Sequence, residues 1–231
     1  MPNQQDIRRI AAAFCPETEP VGIRELTSGN VNATYRLDYD THDRSRSLVL
    51  QRINTEAFRN PEALMENIRL VTGHIRAAQE IARRAGVSGM VAGQSIDLLS
   101  EHHEPNEATL QYIHTHKTAD LLTAPLLAAA YIAGADEKAI SALETFGLCV
   151  GLAFQIDDDL LDVLGDAKDL GKQTGMDAQR GKMTWPSLVG VEAAQKKSRE
   201  LWTRAEEALS VFGDSAWFLR AFAEALAKRK K

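Results

Sequence analysis

Between Phe146 and Leu164 the chain is apolar apart from one acidic run, Gln155-Ile-Asp157-Asp158-Asp159-Leu-Leu-Asp162. On a helix, Gln155, Asp158, Asp159 and Asp162 fall at i, i+3, i+4 and i+7 and share one face. An acidic solvated face is the ordinary explanation of such a pattern. The flanks oppose it here, because Gly-Leu-Ala-Phe precedes the run, Leu-Leu interrupts it and Val-Leu follows. Buried carboxylates without partners are strongly unfavourable, so the stripe calls for hard cations and an anionic ligand for them to bridge. Mg²⁺ suits that demand, since it takes a few carboxylates, several waters and phosphate oxygens. Asp158, Asp159 and Asp162 are the candidate metal ligands. Asp157 lies on another face and is expected to be supporting or exposed.

The 231 residues are enough for one large domain or two small ones, and 44% hydrophobic content supports a real core. The chain changes character near residue 75. Before it, Asp6–Phe14 has the pattern of a short amphipathic helix, and 21–26, 33–38 and 47–53 have that of strands. A further helix is expected to start at Pro61, with Asn60 as its N-cap. From Arg76 onward the pattern is helical, at 76–85, 88–101, 106–133, 136–165, 184–212 and 214–230, punctuated by Gly86, Pro105, Gly134 and a glycine-rich stretch over 165–181. The expected fold class is mostly α, with a small α+β segment at 1–75 and an all-helical domain at 76–231.

Three further features carry chemistry. The loop after the stripe holds Lys172 and Lys182 among glycines. Such lysines are usually solvated, but after a carboxylate stripe they fit a mobile diphosphate clamp. His114-Thr-His116-Lys117-Thr118 interrupts a long apolar helix. Histidines at i and i+2 do not share a face, so a metal site there is improbable, but a helix break would free a carbonyl and a hydroxyl toward a cavity. In Gly89-Met-Val-Ala-Gly93-Gln94, small residues four apart allow close helix packing, and Gln94 either only packs or lines a cavity.

The net charge of −5 argues against nucleic acid as a main partner. Two distant cysteines, Cys15 and Cys149, suggest reduced thiols and a cytoplasmic protein. The N-terminus gives no sign of a signal peptide. No stretch is expected to span a bilayer, the longest apolar one, 121–133, being broken by Pro125. The C-terminal Lys228-Arg-Lys-Lys231 is expected to be a solvated helix end.

Taken in order and spacing, Gly89 to Leu98, His114 to Thr118, Phe154-Gln155 with Asp158-Asp159-Leu-Leu-Asp162, and Gly171-Lys172 through Lys182 resemble the second half of a polyprenyl synthetase, nearest the farnesyl diphosphate synthase type. The likeness covers about 77–231. It implies an all-helical bundle around a deep cavity and a Mg²⁺-dependent condensation of an allylic diphosphate (dimethylallyl or geranyl) with isopentenyl diphosphate. By position, Asp158, Asp159 and Asp162 would be the second aspartate-rich motif. Lys117, Thr118 and Gln155 would be catalytic, stabilising the developing carbocation through oxygen atoms. Gln94, Lys172 and Lys182 would bind substrate.

The family's first aspartate-rich motif and its isopentenyl diphosphate-binding cations belong upstream of Gln94, and this chain has neither. Asp38, Asp40 and Asp43 form the acidic cluster there, in a hairpin pattern that does not substitute. Instead, residues of about 20–75 resemble the N-lobe of an aminoglycoside or sugar kinase-type phosphotransferase. On that likeness Gly29 to Thr34 would be the nucleotide loop, Arg52 would lie on the third strand and Glu66 on the next helix. The alternative to a working synthase is a catalytically incomplete fusion or remnant that binds Mg²⁺ and diphosphate without turnover. Helix faces left bare by the missing half predict a homo-oligomer.

Overall fold

A computed structural model describes residues 3–27, 31–41, 44–101, 103–104, 106–164 and 182–229. Lys172 and the rest of the 165–181 stretch, Gly29, Asp43, His102 and Pro105 lie outside the described residues. The chain divides into two compact units, Met1–Ile68 and Arg69–Lys231. The division falls earlier than the expected residue 75 and inside a helix.

In the first unit, helix α1 (Gln4–Phe14) starts at Asn3, whose side chain accepts the Asp6 N–H at 2.8 Å. Strands β1 (Gly22–Leu26), β2 (Ala33–Thr41) and β3 (Arg44–Arg52) form an antiparallel sheet in the order 1-2-3. Tyr35, Leu37 and Tyr39 alternate along β2 and therefore share one face, where they pack with Ile7 and Ala11 of α1. On the opposite face Asp38 bonds Ser47 and Arg36, and these two contacts hold its carboxyl below the usual range. Helix α2 (Pro61–Ala85) begins as expected, the Asn60 side chain accepting the Ala63 N–H at 3.0 Å. It runs on without a break through the helical stretch expected at 76–85.

In the second unit, α3 (Met90–Leu99) and α4 (Glu107–His114) precede a π-helical turn at Thr115–Ala119, followed by α5 (Asp120–Ala133). The single helix expected over 106–133 is thus divided at the position where its polar residues interrupt the apolar pattern. The long helix α6 (Glu137–Leu164) packs against α5 and against α8 (Val191–Ala208). Between α6 and α8 lies the short α7 (Trp185–Val189). After α8 come a 3₁₀ stretch, Leu209–Ala216, and α9 (Trp217–Ala227). The helix expected over 184–212 is broken at Gly190, whose φ of 85° is a conformation that side chains resist.

Two cores line α6. Phe146, Cys149 and Val150 pack with Ala205, Leu209 and Ala216, while Ile156 and Leu160 pack with Leu110, Trp185 and Ala194. By length and composition α6 could cross a membrane, which corrects the expectation that no stretch could. Gly, Ala and Cys make it apolar without one long run of large residues, and in this fold it is a core helix. A buried charge network ties α2, α5 and α6 together. Arg84, 2% exposed, donates to Glu80 at 2.6 Å, Asp120 at 2.6 Å and Glu144 at 2.5 Å. Burial opposes ionisation of Glu80, but hydrogen bonds from Arg83 and Arg84 outweigh it and keep its carboxyl below the ordinary range.

Candidate functional site

The acidic stripe occupies the last two turns of α6, and the second unit treats its members differently. Asp157 turns toward α8, where it accepts a hydrogen bond from Ser198 Oγ and another from Trp202 Nε1 at 2.8 Å. Asp159 turns inward and is 4% exposed. Its Oδ2 accepts the Trp185 backbone N–H at 3.0 Å and lies 3.6 Å from His114 Nε2. His114 Nδ1 in turn accepts the Trp185 indole N–H at 3.1 Å. An acceptor at Nδ1 places the neutral ring's proton on Nε2, toward Asp159. Burial pushes the His114 pKa down to about 3, so the ring stays neutral.

Asp158 is 43% exposed at its side chain, and Asp162, one turn on, is half-buried. The shared face expected for Asp158, Asp159 and Asp162 is therefore split. Two carboxylates face outward or half-outward, and the third closes the seam between α6 and α7. The periodicity puts Asp159 at the edge of the face, and Trp185, arriving from 26 residues later, covers that edge.

Gln155, one turn before the acids, meets Thr118 of the π-turn, whose Oγ1 donates to Gln155 Oε1 at 3.0 Å. Lys117 Nζ reaches Asp97 of α3 at 2.5 Å. Gly93 explains how α3 comes so near. A Cβ there would lie 2.2 Å from the Lys117 backbone nitrogen. Gly151 of α6 makes the matching approach from the other side, where a Cβ would lie 2.3 Å from Ala119 Cα. Lys117, Thr118 and Gln155 are thus brought into one neighbourhood by small residues on two flanking helices. Gln94 follows Gly93 and is half-buried. Lys182 is half-buried three residues before Trp185. His116 does not face His114. Its Nδ1 lies 2.7 Å from Asp120 Oδ2, in the Arg84 network.

Two residues that sequence reasoning missed complete the picture. His114 appeared only as a poor metal ligand, and Arg229 only as part of a solvated end. Arg229 instead folds back on α6, donating to Asp158 Oδ1 at 3.3 Å and to the Phe154 carbonyl at 3.0 Å. A groove of about 630 Å³ runs behind the stripe, on the Asp157 side, between α6 and α8.

Among the described residues no cluster of three or more His, Cys, Asp or Glu could enclose a metal ion. Asp158 and Asp162 are nonetheless hard oxygen donors one turn apart, and a guanidinium already lies against Asp158. The donor set fits Mg²⁺ with most of its shell supplied by water and a phosphate ligand, and does not fit a caged ion.

The second unit is thus a helical bundle whose long core helix carries half-exposed acids beside a π-turn that supplies a hydroxyl to its glutamine, and it is similar to isoprenoid diphosphate synthases of known structure. Solved structures support the assignment. A farnesyl/geranylfarnesyl diphosphate (FPP/GFPP) synthase from Zymomonas mobilis is 34% identical with a TM-score of 0.57, over 66% of this chain and 50% of that one. A geranyltransferase from Helicobacter pylori, complexed with magnesium and isoprenyl diphosphate, is 31% identical with a TM-score of 0.55, over 66% of this chain and 50% of that one. The chain belongs to the polyprenyl synthetase family, whose model matches residues 59–211. It is 40% identical over 162 residues to the farnesyl diphosphate synthase of Escherichia coli, covering 68% of this chain and 54% of that enzyme. It is 42% identical over 144 residues to geranylgeranyl pyrophosphate synthase 9 of Arabidopsis thaliana, covering 61% of this chain and 40% of that protein. The chain thus spans about half, or less, of the length of these relatives.

Proposed function

We propose that the chain takes part in isoprenoid diphosphate chain elongation, contributing the half-site that holds the allylic diphosphate. The observation that carries this is the Thr118–Gln155 contact, 3.0 Å long and one turn from Asp158 on the same helix. Asp158 and Asp162 would hold Mg²⁺. When bound, the ion neutralises the diphosphate and makes it a better leaving group. Asp159 has a supporting role in this reading, fixing the end of α6 against α7.

The chain's own residues would act on the organic half of the substrate. As the allylic C1–O bond breaks, positive charge develops on the allyl group. Thr118 Oγ1 and Gln155 Oε1, oriented by their mutual hydrogen bond, supply negative oxygen dipoles near that charge, together with the Lys117 carbonyl. The π-turn aids this role, because its extra residue disturbs the regular carbonyl ladder. Lys117 Nζ, paired with Asp97, is kept from adding positive charge there. Lys182 and Lys172 would close on phosphate oxygens, and Gln94 would line the substrate cavity. Isopentenyl diphosphate would attack the allylic cation, and proton loss, with the departed diphosphate as acceptor, would end the step.

The second reading is binding of Mg²⁺ and diphosphate without turnover. It is favoured by residues 1–93, which hold no aspartate-rich run of the Asp158 to Asp162 kind. The kinase N-lobe likeness rests on its sequence motifs alone; the three-stranded antiparallel sheet there is an arrangement common to many folds, and the polyprenyl synthetase match from residue 59 overlaps Asn60 to Ile68, one of those motifs. Cytoplasmic placement belongs to the same proposal, with Cys15 and Cys149 both as free thiols.

Incubating the chain with Mg²⁺, radiolabelled isopentenyl diphosphate and dimethylallyl or geranyl diphosphate separates the two readings. Elongated product supports the first. Absence of product at every enzyme concentration, with Mg²⁺-dependent diphosphate binding that disappears in Asp158→Ala, supports the second.

A further inference from the structure

We propose that Arg229 is a resident counterion of Asp158 that a divalent cation must displace, so that metal loading releases Arg229 and the end of α9 from α6. The inference rests on the reading of Asp158 as a metal ligand. Four features of Arg229 carry it. Its Nη2 donates to Asp158 Oδ1 at 3.3 Å, 71 residues away in sequence. The same nitrogen donates to the Phe154 carbonyl at 3.0 Å, and the guanidinium carbon lies 3.6 Å from the Phe154 ring centroid. Its side chain is 18% exposed, whereas that of the neighbouring Lys228 is 73% exposed and makes a helix-surface pair with Glu224. Finally, Arg229 Nε is buried and has no hydrogen-bond partner among the described residues.

The first three features make Arg229 a specific latch rather than a solvated terminal charge. The fourth shows that the latch is imperfect. A purely structural guanidinium in this position would have its buried donors met, because a buried N–H without an acceptor is unfavourable. Arg229 therefore neutralises Asp158 through one long contact, 3.3 Å, that a divalent ion can replace. A divalent ion on Asp158 Oδ1 would come within a few ångströms of the guanidinium, and like charges at that range repel. The two cations exclude each other, and the stronger charge evicts the weaker. Arg229 then loses its hold on α6.

Mn²⁺ serves as the probe, with binding followed by electron paramagnetic resonance on the full chain and on Arg229→Gln, Arg229→Lys and Asp158→Asn. Hydrogen exchange of residues 224–229 is measured with and without Mn²⁺. Arg229→Gln should bind Mn²⁺ about fivefold more tightly than the parent chain, the scale of one partly exposed ion pair. Arg229→Lys should fall between, keeping the charge without the planar stacking. Saturating Mn²⁺ should speed exchange at 224–229 in the parent chain and leave Arg229→Gln, already fast there, unchanged. Equal Mn²⁺ affinity in the parent and Arg229→Gln, with Asp158→Asn weaker than both, overturns the latch and leaves the metal reading standing. Absence of Asp158-dependent Mn²⁺ binding in both overturns the metal reading and the latch with it.

Discussion

Adjacent aspartates on one helix end up with opposite duties here. Asp158 faces a cation, while Asp159 is a buried acceptor for the Trp185 N–H. Asp159→Ala leaves that donor buried and unmet, a loss of about 1–3 kcal/mol. Asp158→Ala removes a half-exposed group and should change stability by less than about 1 kcal/mol. Denaturant titration of the two variants should therefore separate them, while Mg²⁺-dependent diphosphate binding should be lost in Asp158→Ala. His114 adds a pH dependence. Its folded pKa is pushed down to about 3, whereas an unfolded histidine titrates near 6.5. As pH falls through that window the unfolded chain gains a proton that the folded chain does not accept. Stability attributable to His114 should thus be complete above about pH 6.5 and fall by up to about 1.4 kcal/mol per pH unit below it. Thermal melts of His114→Gln should lack that part of the slope. Neither residue's duty can be read from helix periodicity, because both depend on Trp185, a partner on another element.

At the scale of elements, the π-turn is the feature on which the candidate site depends. Its position was readable in the sequence, since Lys117 and Thr118 interrupt an otherwise apolar helix. Its form was not, because a π register is set by the helices packed on either side. Gly93 and Gly151 permit those approaches. Gly93→Ala would put a methyl against the Lys117 backbone nitrogen and should force α3 away from the turn. Overpacking of this kind costs about 1–3 kcal/mol. The substitution should lower the melting temperature and weaken allylic diphosphate binding together. A variant that melts lower but binds normally would show that α3 does not shape the site.

The molecule as a whole shows apolar surface where a compact bundle would hide it. In the second unit, Val71, Ile75 and Ile81 of α2 are about half exposed, and Val87, Leu98 and Leu99 more so. Patches of that kind drive association. Sedimentation velocity should show concentration-dependent self-association, with a homo-oligomer as the main species. A monodisperse monomer across a wide concentration range would contradict it. Replacing Val71 and Ile75 with Lys should shift the population toward monomer with little loss of folded stability, because neither side chain is in a core.

Periodicity and residue chemistry alone placed the acidic stripe on a core helix, the N-cap at Asn60 before Pro61, and the polar interruption at 114–118 within an expected helix over 106–133. All of these are local signals, carried by residues a few positions apart, and local signals survive without knowledge of the fold. Tertiary structure alone decided that Asp159 turns inward, that His114 stays neutral against Trp185, and that Arg229 returns to Asp158. Each joins residues from 26 to 71 positions apart. Helix periodicity gives the angle at which a side chain leaves its axis. Only the packed neighbours determine whether that angle meets water, a ligand or another helix.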